Sequence, residues 1–170
     1  MILWVNGPFG AGKTTLATLL AERIPDAHLF DSETVGYLLQ RVLNGPRPVG
    51  DFQDWRAWRT LVVETVAALQ AELPGATIVI PQSVYVEQYW RELAEGMAAR
   101  GLEVRAITLD VEAAELERRI RSDTVEFAAV DWRLEKMAAF AAARNWLARD
   151  TEMVDASGRS PQQLAEYLAP

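Results

Sequence analysis

The chain has no cysteine and one histidine in 170 residues. Without thiols there is no disulfide, no thiolate zinc site and no cysteine nucleophile, which fits a cytoplasmic protein. Basic side chains are also scarce: 17 Lys and Arg stand against 24 Asp and Glu, for a formal net charge of −7. A general nucleic-acid binder needs the opposite excess, so none is expected, although a local basic cluster can still hold phosphates. No apolar run reaches the ~18–20 residues of a membrane span. The N-terminus lacks a basic region ahead of its apolar segment and does not read as a signal peptide. Stable membrane insertion is therefore not expected. Half of the residues are apolar and 24% are charged, the balance of one soluble globular domain over residues 1–170.

What the chain does have begins at once. Ile2 to Asn6 is an apolar run that reads as a buried strand, and a helical pattern opens at Lys13. Between them Gly7 to Thr14 fits G-x-x-x-x-G-K-[ST], the phosphate-binding loop, in its strand–loop–helix context. Crowded phosphate oxygens need many converging N–H donors, and Gly7, Gly10 and Gly12 let the backbone curl that tightly, with Phe9 and Ala11 between them. The loop runs into a helix N-terminus, which favours an anion. Lys13 is expected on the β- and γ-phosphates, the Thr14 hydroxyl on Mg²⁺, and Thr15 on the α-phosphate.

The rest alternates. Helices are expected at 13–24, 33–43, from Trp55 to Leu73, and at 86–100, 112–121, 131–149 and 161–168. Strands are expected at 27–31, 76–80, 104–109 and 153–154, with a loop over 122–130. Alternation throughout means a parallel sheet covered on both faces: an α/β, three-layer α/β/α domain with five strands. Asp31 closes the second strand, next to a Ser32 suited to cap the following helix. His28 reads as structural.

Ligands gather at the carboxyl ends of such strands. Asp31 either accepts the proton of an attacking hydroxyl or holds a Mg²⁺-bound water, or else it only caps locally. Arg118, Arg119 and Arg121 supply a cationic clamp for a transferring phosphoryl group, or pair with Glu115 along their helix. Arg118 is the one expected to be a surface charge. Arg133, Lys136, Phe140 and Arg144 share a helical face that reads first as a solvated stripe. Trp55, Trp58 and Arg59 have the composition of a ring-binding site and equally that of core anchors. No acidic residue follows the strand at 76–80. Gln82 stands there instead, so either Asp31 with Thr14 carries the metal or Gln82 reads the substrate.

Several of these pieces together resemble the tunicamycin-resistance protein family of small phosphate-loop kinases. The matching segments are Trp4 to Thr14, Phe30-Asp31-Ser32-Glu33 with Gly36, Asp51-Phe52-Gln53, Trp58-Arg59, Ile78 to Pro81, Tyr89, and Leu116 to Arg121. The resemblance implies an adenylate-kinase-like core with a short lid near 118–136, bound ATP and Mg²⁺, and phosphorylation of a small-molecule hydroxyl on tunicamycin or a similar nucleoside–sugar compound. It implies Lys13 and Thr14 at the phosphates and metal, Asp31 as base, Arg119 and Arg121 at the lid, and Trp58, Arg59 and Gln82 near the acceptor. Asp123 stands where the lid pattern often has another arginine. A kinase for another antibiotic, nucleoside or metabolite, and an ATP-dependent sequestering protein without transfer, remain as alternatives.

Overall fold

The computed structural model describes residues 1–123 and 129–169. Five parallel strands form one sheet in the order β2-β3-β1-β4-β5: β1 Ile2–Asn6, β2 Ala27–Leu29, β3 Thr77–Pro81, β4 Val104–Asp110 and β5 Glu152–Asp155. All of β1 is buried because it lies at the centre, between β3 and β4. Its side chains alternate between two cores, as the strand period of two requires. Ile2 and Trp4 face one core; Leu3 and Val5 face the other.

Helices α1 (Lys13–Arg23), α5 (Ala113–Ser122) and α7 (Pro161–Leu168) cover the Leu3 face, through Leu16, Leu20, Leu116, Ile120 and Leu164. Helices α3 (Arg56–Glu72), α4 (Glu87–Ala99) and α6 (Val130–Asp150) cover the other, through Trp58, Val62, Leu93, Met97 and Trp146. The three-layer α/β/α expectation holds, and the fold is that of a phosphate-loop kinase-like domain. The chain stops α1 with Pro25, whose ring cannot continue a helix. It starts α7 with Pro161 and a capping box between Ser160 and Gln163.

Local readings shift in three places. Strand β2 ends at Leu29, at the sheet edge. The cap of helix α2 (Glu33–Leu43) is not Ser32: Asp31 Oδ1 accepts the Glu33 N–H at 2.9 Å, while the Ser32 hydroxyl turns inward to Gln82. The single histidine is exposed and pairs with Asp26 at 3.3 Å, so it plays no part in the core. The expected loop at 122–130 and the lid at 118–136 both run through residues 124–128, outside the described residues. No helix among the described residues is long and apolar enough to cross a membrane.

Helix α2 sits against a 3₁₀ turn at Phe52–Asp54, with Gly36 under the Phe52 ring. A Cβ on Gly36 would lie 2.7 Å from Phe52 Cγ, and that atom is the stiff base of the ring. Overpacking there outweighs the ~1 kcal/mol helix-propensity gain of replacing glycine. Gly36→Ala is expected to lower unfolding free energy by about 1–2 kcal/mol, read as a lower urea midpoint with unchanged slope. An unchanged or higher midpoint would show that the Phe52 contact is loose.

Candidate active site

The carboxyl ends of β1, β2 and β3 open toward one edge of the sheet, and the loop after β1 forms the floor there. Its conformation matches its glycines. Gly10 has φ +82° and Gly12 φ +90°, both in the left-handed region that side chains avoid. A Cβ on Gly10 would also stand 2.8 Å from Ile120. The cradle is thus held by conformation and by close approach to α5, and it suits a phosphate chain at the N-terminus of α1.

The loop is fastened at its root by a buried amide. Asn6 Oδ1 accepts the N–H groups of Gly7 (2.9 Å) and Val84 (2.8 Å), and Nδ2 donates to the Val84 carbonyl (3.0 Å). Ser83 Oγ donates to the Gly7 carbonyl at 2.8 Å. Gln53 Nε2 donates to the Ser83 carbonyl at 2.9 Å, and Arg59 in turn donates to the Gln53 carbonyl. Every one of these side chains is buried. The phosphate loop, the segment after β3 and the 3₁₀ turn therefore share one hydrogen-bonded frame.

Lys13 lies in the loop, with Nζ donating to the Pro8 carbonyl at 3.0 Å and lying 5.4 Å from the Phe9 ring centre. Burial draws its pKa down to about 7; Glu33 opposes this and Arg133 adds to it. The charges of Glu33 and Arg133 thus reach the lysine. Arg133 is buried and donates to Asp123 Oδ2 at 2.8 Å. Its neighbour Trp132 packs edge-on against Phe9, ring centres 4.8 Å apart. The start of α6 therefore covers the phosphate loop.

The expected solvated stripe on α6 is corrected: Arg133 and Phe140 are buried, Lys136 lies 5.3 Å from the Trp132 ring centre and 5.8 Å from that of Tyr85, and only Arg144 is exposed, donating to Asp110 at 2.6 Å. Arg121 is exposed and paired with Glu117 at 2.7 Å. Arg119 pairs with Glu115 and reaches the Ala156 carbonyl at 3.4 Å, near the loop 155–158.

On the acceptor side, Trp58 is fully buried with its indole N–H on the Ser32 carbonyl at 3.1 Å, and Trp55 donates to the Arg47 carbonyl at 2.8 Å. Both are core anchors. Arg59 is buried between the Gln53 carbonyl and Glu92, at 2.8 Å from the latter. Gln82 is buried on the Ser32 hydroxyl at 2.8 Å and donates its backbone N–H to Val5. These residues shape the site's wall from behind. Asp31, Thr14 and Thr15 are exposed at its floor. Sequence reasoning put Arg133 on a face that either closes over phosphates or is solvated, favouring the second, and gave Glu33 and Asp51 no role of their own. Glu33 and Asp51 stand in the quoted motifs, but without a structure neither has a visible partner.

The residues fit MgATP. A cradle of positive-φ glycines, a lysine short of charge and an arginine beside it await phosphates. Thr14 would supply one oxygen to Mg²⁺, an ion that keeps several waters and takes most of its other ligands from phosphates.

The lowered Lys13 pKa has a definite sign. The folded chain binds this proton less tightly than the unfolded one, so the cost is full below about pH 7 and falls away as pH rises toward 10.5. Lys13→Met is expected to raise the nucleotide-free Tm at neutral pH by a few degrees while abolishing nucleotide binding; a lowered Tm would contradict this. Phosphates restore the charge. Titration of the wild type with an ATP analogue near pH 8, in buffers of different ionisation enthalpy, should show uptake of about one proton, and no uptake would place the ordinary lysine pKa here.

The family model described as AAA domain matches residues 2–145. No curated protein matches the chain by sequence. Among solved structures, the tunicamycin resistance protein of Deinococcus radiodurans is 30% identical, with a TM-score of 0.73 over 98% of this chain and 91% of that one. A sugar kinase from Janibacter sp. HTCC2649 is 22% identical, with a TM-score of 0.68 over 98% and 90%. A gluconokinase from Sinorhizobium meliloti 1021 is 16% identical, with a TM-score of 0.65 over 96% and 86%. The last two show the fold alone. By the model matched over 2–145 and the 30% identity across nearly the whole length, the chain belongs to the AAA domain family and, within it, to the tunicamycin-resistance proteins.

Proposed function

We propose that the chain is an ATP- and Mg²⁺-dependent kinase that phosphorylates a hydroxyl of tunicamycin or a related nucleoside–sugar compound. The observation that carries this reading is the cradle of positive-φ glycines with Lys13 folded into it and the start of α6 packed over it through Trp132 on Phe9, in a chain whose Asp31 follows β2. MgATP supplies the γ-phosphoryl group and much of the charge neutralisation. Lys13 and the loop N–H groups hold its phosphates in line, and Thr14 offers the metal one oxygen. Arg133, released from Asp123, meets the charge that builds on the equatorial oxygens. Asp31 keeps one oxygen on the Glu33 N–H and turns the other to the acceptor hydroxyl, orienting it and accepting its proton. Arg119, beside the Ala156 carbonyl, borders the nucleotide end.

A sequestering protein would need the loop but not Asp31. Mass spectrometry of tunicamycin after incubation with protein, ATP and Mg²⁺ separates the two. The wild type is expected to add one phosphoryl group, Lys13→Ala none, and Asp31→Asn at a rate lower by about 10²–10⁴. Drug left unmodified by the wild type would sink the kinase reading. For the clamp, Arg133→Ala should lower kcat about 10³-fold, whereas Arg121→Ala, on the surface, should change it less than about threefold. Equal losses in the two variants would return the clamp to α5.

A further inference from the structure

One cluster of side chains is not used by the chemistry above. It stands one helical turn along α6 from Arg133, where Lys136 lies between the rings of Trp132 and Tyr85. Asp51 faces it from the start of the 3₁₀ turn. One Asp51 oxygen accepts the Gln53 N–H at 2.9 Å, and the Tyr85 phenol and the Lys136 charge both act on the carboxylate. Asp54 and Tyr89, bonded at 2.9 Å, stand alongside. Three residues of α-helix rise ~4.5 Å, so this cluster lies about one sugar ring beyond the phosphate end.

Its chemistry selects against anions. Asp51 and Asp54 present two carboxylates, and among the described residues the Lys136 ammonium is the cation that acts on Asp51. Arg59, the arginine suited to hold an acceptor's carboxylate, is withdrawn: it is buried against Glu92 and the Gln53 carbonyl, with the Tyr89 ring 4.2 Å from its guanidinium carbon. What remains suits a neutral polyol. A carboxylate has about four acceptor positions, and the Gln53 N–H uses one. The Tyr85 phenol and the Lys136 ammonium, which Tyr85 and Trp132 flank, can donate to a sugar's oxygens. Burial also pushes the Asp51 carboxyl above its ordinary value and the Tyr85 phenol up to about 12, so the phenol stays a donor at neutral pH.

We infer that Asp51, Tyr85 and Lys136 form the acceptor-specificity site of this chain, which takes an uncharged polyhydroxylated group and rejects carboxylic acids such as the gluconate for which one structural neighbour is named. This rests on the phosphoryl-transfer reading for where the acceptor lies, but its test reads binding alone. The protein, loaded with Mg²⁺ and a non-hydrolysable ATP analogue, is titrated calorimetrically with tunicamycin and with gluconate. Tunicamycin should bind at least tenfold more tightly than gluconate. Asp51→Asn and Tyr85→Phe should each weaken tunicamycin about tenfold while the affinity for the ATP analogue holds. Because Asp51 also caps the 3₁₀ turn, Tyr85→Phe, which leaves that cap intact, decides the matter if Asp51→Asn unfolds. Equal affinity of the Tyr85→Phe variant and the wild type, stronger binding of gluconate, or no binding of tunicamycin would each overturn the inference. Binding lost as expected, with no phosphorylated product from the wild type, would leave this site standing and remove the kinase reading instead.

Discussion

The site depends on the Asn6 carboxamide. It sits fully buried at the end of the central strand and meets three backbone groups, one in the phosphate loop and two at Val84. A buried amide left half-paired costs about 1–3 kcal/mol per missing partner, so the two segments cannot drift apart cheaply. Through Ser83 and Gln53 the same frame reaches Arg59 and Glu92 on the other side of the wall. The polar residues that looked like substrate contacts hold the floor and the acceptor wall in register. Positioning of this kind serves a transfer reaction, in which two bound molecules must meet within a fraction of an ångström.

Charge is arranged around that frame in the same spirit. The charges of Arg133 and Glu33 both act on Lys13, in opposite senses, and Asp123 binds the arginine. An anionic phosphate chain would restore the lysine's charge and meet that of the arginine. The chain as a whole is acidic, so this small positive region stands out against its surroundings. The far end of the cleft, with Asp51 and Asp54, has the opposite sign, and a substrate that carries charge only where phosphate arrives suits both ends.

Much of this was legible in the sequence. The loop motif, the alternation of strands and helices and the parallel sheet follow from short-range patterns of glycine, apolar spacing and helix stops. The lid cations were harder to place. On a helix whose apolar residues surround it on several sides, Arg133 and Lys136 at 3-residue spacing look solvated, and only the fold reveals that Phe9 and Asp123 meet that face. Arg119 and Arg121 drew attention because they share a short helix with Arg118, yet Glu115 and Glu117, each four residues earlier, take them as local pairs. Asp31 instead of Ser32 caps α2, because the partner of Ser32 is fifty residues away in the chain. Trp58 and Arg59 were ambiguous for the same reason: burial is a property of the packed layers, which a run of nine residues does not reveal.

The central claim is that the chain moves a phosphoryl group to its ligand instead of merely holding both. A single-turnover experiment tests it most directly, with enzyme in excess over γ-labelled ATP, tunicamycin saturating, and the label followed by rapid quench. The account predicts that label leaves ATP and appears in the organic product, close to one equivalent for each ATP bound. Label that stays in ATP, or emerges only as inorganic phosphate while the drug is recovered unchanged, would contradict it.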